Sequence, residues 1–221
     1  MTADENSAPR RGLLLRFMFT AAVLALWFWT QSLIGSRSAP ASGIGDVIHD
    51  WTAGLNAYFA QHAAGANALL IASSAVVDVL GLFLLGSWLF GGSVRPFLGL
   101  FLLMVLRQVA QGLCALRAPP NMIWHYPGFP SLLVTYHVTN DFFFSGHTAI
   151  AVYGALELAR FRKNWLTAGA ALLVAFEIAT VLILRAHYTL DVFTGIIAAL
   201  WISHVSQRVS LRIDQLLAAK R

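Results

Sequence analysis

A chain of 221 residues that is 58% hydrophobic and only 11% charged is not a soluble domain, in which about a quarter of residues carry charge. The net charge of +5 does not indicate nucleic-acid binding, because the basic residues fall in loops and at the chain ends, not along one exposed face. A single cysteine, Cys114, excludes an intrachain disulfide, and no polar stretch is long enough for a second domain.

Met1–Gly12 is polar and reads as a disordered cytoplasmic N-terminus. Leu13–Ile34 follows as the first span. Arg10-Arg11 before it and Ala39-Pro40-Ala41 after it would suit a cleaved signal peptide. About 22 residues suit a retained helix better, since ~20 cross the hydrocarbon core. Asp46–Ala63 mixes polar and apolar residues and reads as interfacial. Ala68–Phe90 and Phe97–Leu116 are the next two spans. Ala118–Asn140 carries Pro119, Pro120, Pro127 and Pro130 and is a shaped loop. Phe142–Ala159, Trp165–Leu184 and Tyr188–Val205 complete six spans. Residues 208–221 form a basic cytoplasmic tail. The expected architecture is an all-α polytopic bundle of six transmembrane helices over residues 13–207.

With six spans, both termini and the loops after spans two and four share one side. Eleven lysines and arginines lie there, among them Arg16, Arg95, Arg160 and Arg212. The other side has Arg37, Arg117 and Arg185. By the positive-inside rule the richer side is cytoplasmic. The opposite face is periplasmic, lumenal or extracellular, and two histidine motifs open onto it.

The first motif is Ser145-Gly146-His147-Thr148 and the second is His187-Tyr188-Thr189-Leu190-Asp191. Two apolar spans separate them, so the chain crosses, turns and returns both to one face. His187 and Asp191 are four apart and share a helical face. The carboxylate can fix the tautomer of His187 and leave the other ring nitrogen as a nucleophile. Ser145-Gly146-His147 opens a span, where free amides and the helix dipole favour an anion. The plainer alternatives are an interfacial His–Asp pair and an N-cap serine.

Phe143-Phe144-Ser145-Gly146-His147-Thr148 followed by His187 to Asp191 resembles the type 2 phosphatidic acid phosphatase superfamily. More narrowly, it resembles the branch holding sphingomyelin synthases and the plant phosphatidylcholine:diacylglycerol cholinephosphotransferase. The resemblance covers Arg107 to Trp201. It implies that His187 attacks phosphorus, Asp191 orients His187 and His147 protonates the departing alcohol, through a phosphohistidine and with no metal or other cofactor. The phosphatases of that superfamily usually place an arginine six positions before the second histidine, where this chain has Val181. Arg95-Pro96 falls on the cytoplasmic side. Substrate phosphate is then left to Arg107, Arg117 or Arg185 with the Ser145-Gly146 turn.

Arg107 has an alternative role, bracing the bundle against Asp78 or Glu177. Trp124, Tyr126, Phe129 and Tyr136 can cage a quaternary ammonium or simply form an interfacial aromatic belt. His125 and His137 read as loop surface, and no ligand spacing supports a zinc site with His147 and His187. The expected activity is transfer of a phospho-headgroup from a phospholipid donor to a lipid alcohol, diacylglycerol or a ceramide-like acceptor, within the membrane and without nucleic acid. The leading alternative is a lipid phosphatase or phospholipase C-type hydrolase using the same residues. A catalytically silent scaffold or a transporter is the remaining class.

Overall fold

The computed structural model describes residues 7–36, 44–136 and 142–219. Among them are eight helices and no strand: α1 (Ser7–Gly35), α2 (Val47–Trp51), α3 (Ala53–Gln61), α4 (Ala63–Leu89), α5 (Arg95–Leu113), α6 (Gly146–Ala159), α7 (Asn164–Ile183) and α8 (Thr189–Ala218). Each of the six expected spans holds one helix. Five of these, α1, α4, α5, α7 and α8, are long and apolar enough to cross a membrane. The sixth, α6, has 14 residues and so runs only about 21 Å, short of a ~30 Å hydrocarbon core.

α6 is the centre of the bundle. Nine of its 14 residues are buried, and it packs against α4, α5, α7 and α8. Its small residues Ala149, Ala151 and Gly154 let neighbours approach closely, the usual means of association where lipid removes the hydrophobic drive. The core joins Leu84 and Trp88 of α4, Phe97 and Leu103 of α5, Tyr153 of α6 and Ala199 and Ile202 of α8. α1 lies at the edge, against α5 and α4, and only 6% of its apolar stretch is buried.

Both ends of the helical region differ from the sequence expectation. α1 begins at Ser7, inside the stretch Met1–Gly12 read as disordered; residues 1–6 lie outside the described residues. α8 continues to Ala218, so most of the expected tail is helix. No glycine or proline follows Gly195 before that point to stop it. The Asp46–Ala63 segment folds into the short helices α2 and α3.

Charge gathers at the end of the bundle away from the start of α6. Arg16 donates to the Trp88 and Leu89 carbonyls at the end of α4 and sits 4.8 Å over the Trp88 ring. Glu157 pairs with Arg95 at 2.7 Å and with Arg160 at 3.0 Å. Asp214 accepts from Ser93 Oγ and the Val94 amide. Glu157 thus ties the start of α5 to the end of α6. Asp78 and Glu177, weighed as braces for Arg107, are engaged elsewhere. Asp78 accepts from Ser131 Oγ and the amides of Leu132 and Leu133, shaping the proline-rich loop. Glu177 accepts from Ser73 Oγ at 2.7 Å.

Candidate active site

α7 ends in a Schellman turn that delivers His187. The Arg185 amide donates to the Leu182 carbonyl and the Ala186 amide to the Val181 carbonyl, the paired bonds of that motif. Arg185 takes the left-handed position, with φ 54°. Glycine is the usual residue there, so the turn has no obvious sequence signal. The Arg185 guanidinium offsets the cost. It donates to the carbonyls of Pro120 and His49, both at 3.0 Å.

The segment preceding α4 clamps the same turn from outside. Asp46 caps α2 through the Ile48 and His49 amides. It also accepts from the Thr189 amide and hydroxyl at the start of α8. Burial pushes the Asp46 carboxyl up, but the Thr189 bonds, with His49 beside it, outweigh this and hold it below the ordinary carboxylate value. The clamp is fully charged above that ordinary value and is lost as pH falls through the lower one. His49 Nε2 donates to the His187 carbonyl at 2.9 Å, and Asn56 Nδ2 donates to the carbonyls of Ile183 and Asn121.

His187 is 6% exposed and Asp191 fully buried. Their closest approach, Nδ1 to Oδ2, is 3.7 Å, near enough for charge attraction but too long for a hydrogen bond. Nδ1 instead donates to the Phe142 carbonyl at 3.1 Å. That bond fixes the tautomer and leaves Nε2 with a lone pair. Asp191 Oδ2 accepts from the Tyr188 amide at 2.9 Å, and Oδ1 is buried without a hydrogen-bond partner. The carboxylate therefore holds the start of α8 and sits beside the imidazole as a counter-charge.

Ser145 caps α6. Its Oγ accepts from the Thr148 amide and donates to Thr148 Oγ1, so the hydroxyl is spent within its own turn and fully buried. The two motifs meet directly, since the Ser145 amide donates to the Asp191 carbonyl at 3.1 Å. Gly195 permits this contact. A Cβ there would lie 2.8 Å from the Ser145 carbonyl oxygen. Gly146 similarly admits the Arg107 guanidinium, whose Nε would be 3.0 Å from an added Cβ. Arg107 is buried and donates to the Phe144 carbonyl and to Gln31 and Gln111.

His147, His187, Gly146 and Arg107 all line one cavity of about 40 Å³, closed by Trp27, Gln31 and Trp124. His147 Nε2 is buried without a hydrogen-bond partner, and the Trp124 ring meets the imidazole edge-on at 5.1 Å. Asp191 and Ser145 stand behind the wall. Arg117 and Arg185 do not line the cavity. Of the proposed aromatic cage, Trp124 and Tyr126 both pack on Tyr136, while Phe129 is exposed. His125 bonds Asn67 at the surface; His137 lies outside the described residues. Sequence reasoning missed the Phe142 carbonyl, Gln31, Trp27 and the Asp46–His49 clamp. None belongs to a motif, and each reaches the site only through folding.

Residues 45–208 match a family model described as AtPDCT1/2. The chain belongs to that family. It is a family of phosphatidylcholine:diacylglycerol cholinephosphotransferases. The cholinephosphotransferase match takes in both histidine motifs, Arg107 and the Asp46 clamp, and leaves out α1. No curated protein and no solved structure matches the chain.

Proposed function

We propose that this protein moves phosphocholine between glycerolipids through a phosphohistidine, on the chemistry shared by the type 2 phosphatidic acid phosphatase superfamily and its sphingomyelin synthase-like branch. The observation that carries the reading is the meeting of His147 and His187, from two distant motifs, in one cavity beside a buried arginine. His187 Nε2 attacks the phosphorus of phosphatidylcholine, and the bond from phosphorus to the glycerol oxygen breaks. His147 gives that oxygen its proton, so diacylglycerol leaves. The imidazolium so formed keeps its Nδ1 proton on the Phe142 carbonyl, with the Asp191 carboxylate 3.7 Å away to offset the charge. The hydroxyl of a second diacylglycerol then attacks phosphorus, His147 takes its proton, and the phosphorus–nitrogen bond breaks. Arg107 and the open amides of the Gly146 turn bind the phosphoryl oxygens.

The test is purified protein with headgroup-labelled phosphatidylcholine, with and without added diacylglycerol or ceramide. Label in new phosphatidylcholine that depends on diacylglycerol is the expected result. Label in sphingolipid would replace the acceptor, and label released to water would make the protein a hydrolase.

α6, though short, serves in this reading as a sixth crossing buried by its neighbours. Both termini then share the cytoplasmic side, and the cavity faces outward. Single cysteines at Asn121 and Asn164, in a Cys114→Ser background, should react from opposite sides of the membrane. Labelling of position 121 only from the cytoplasmic side would invert the topology and the substrate leaflet.

Contact at Gly195 sets the distance between the motifs. Gly195→Ala places a methyl group on the Ser145 carbonyl. Overpacking of this kind costs about 1–3 kcal/mol, and small displacements of reacting groups cost up to ~10²-fold in rate. Transfer should slow by about tenfold, with the thermal midpoint in detergent lowered by a few degrees. An unchanged rate would show that α8 can move off α6 without separating the histidines.

A further inference from the structure

A second cavity opens beside the first. It lies between α1 and α5, encloses about 250 Å³ and is almost wholly apolar. Trp27 and Met104 belong to the walls of both cavities. On α5 it is lined by Phe97, Phe101, Met104, Val105 and Gln108, one face of the helix at steps of three and four. That stripe advances 11 residue steps from Phe97 to Gln108, about 17 Å at 1.5 Å per step. Thr30 turns its hydroxyl back to the Leu26 and Trp27 carbonyls. The polar groups sit at the head of the groove, where Gln31 Oε1 accepts from both Gln108 and Arg107. Arg107 also lines the histidine cavity. The rim residues Leu26, Val105 and Val109 are exposed, so the groove opens sideways to lipid.

We propose that this groove holds one acyl chain of the donor phospholipid while its phosphate lies between His147 and His187. The inference rests on the lipid-transfer reading above. The histidine cavity, at about 40 Å³, has room for a few waters and none for an acyl chain. The adjoining groove has the length, the apolar wall and the polar head that such a chain with its ester end requires. Its contribution is one of register. Lipid tails are as apolar as the groove, so little affinity is gained, but a chain held between α1 and α5 brings its phosphate to one position under His187.

Two measurements test this. Val105→Trp fills the groove from its rim and touches none of the catalytic groups. Transfer from dioleoyl phosphatidylcholine should fall about tenfold in kcat/KM, whereas transfer from dibutanoyl phosphatidylcholine, whose chains end short of the groove, should stay within about twofold. Equal losses on both donors, or no loss on either, would overturn the proposal. The second measurement needs no turnover. In His187→Ala protein, phosphatidylcholine with a photoreactive diazirine at one chain terminus should crosslink to residues 23–30 and 97–109. Crosslinks concentrated instead on the lipid-facing residues Leu172 and Phe193 would overturn it. Wild-type protein that transfers from neither donor would refute the lipid-transfer reading alone, and the crosslinks would still decide what occupies the groove.

Discussion

His187→Ala is expected to abolish headgroup transfer, with a loss on the order of 10⁴-fold or more, as for removal of a covalent nucleophile. Every substrate needs the nitrogen, so the loss should not depend on the leaving group. Wild-type protein quenched during turnover should carry acid-labile phosphate, and the variant none. The neighbouring carboxylate should matter less than its spacing in the sequence suggests. The tautomer of His187 is set by the Phe142 carbonyl at 3.1 Å, not by Asp191 at 3.7 Å. Asp191→Asn keeps an oxygen for the Tyr188 amide and loses only the counter-charge to the imidazolium. Its cost should be about 10- to 100-fold, or roughly 1.4–2.7 kcal/mol. Full activity in His187→Ala would end the phosphohistidine mechanism. A loss in Asp191→Asn equal to that of His187→Ala would make the carboxylate, not the carbonyl, the group that orients the ring.

His147→Ala should separate two kinds of substrate. An alkoxide leaving from diacylglycerol needs its proton, and general acid catalysis supplies about 10²- to 10⁴-fold. The variant should lose that factor on phosphatidylcholine, about 2.7–5.4 kcal/mol in barrier. Nitrophenolate leaves readily without a proton, so on nitrophenyl phosphocholine the loss should be under about tenfold. The position of His147, lining the cavity with Nε2 free of any protein partner, suits a group that meets only substrate. Equal losses on both substrates would mean that His147 binds the phosphoryl group and that the proton comes from elsewhere.

Much of this protein is legible in its sequence because the relevant physics is local. Apolar runs of about 20 residues locate the helices whatever their neighbours do, since backbone groups in lipid must be satisfied within the segment. The two histidine motifs are read from adjacent residues, and the serine cap of α6 depends on a three-residue spacing. The basic residues Arg16, Arg95 and Arg160 gather at one end of the bundle because successive long helices alternate direction.

What the tertiary structure decided is whatever depends on chain segments far apart. The spacing of His187 and Asp191 suggested a direct bond, but the ring turns to a backbone carbonyl supplied by a residue 45 positions earlier. Three arginines were equivalent as phosphate ligands in the sequence. Packing gives Arg107 to the cavity through the gap left by Gly146 and ties Arg185 to the carbonyls of Pro120 and His49. The clamp from Asp46 and His49, the closure by Trp27 and Gln31 and the contact at Gly195 carry no motif. Backbone carbonyls and missing side chains have no signature in a residue string, and only the packed bundle gives them a place.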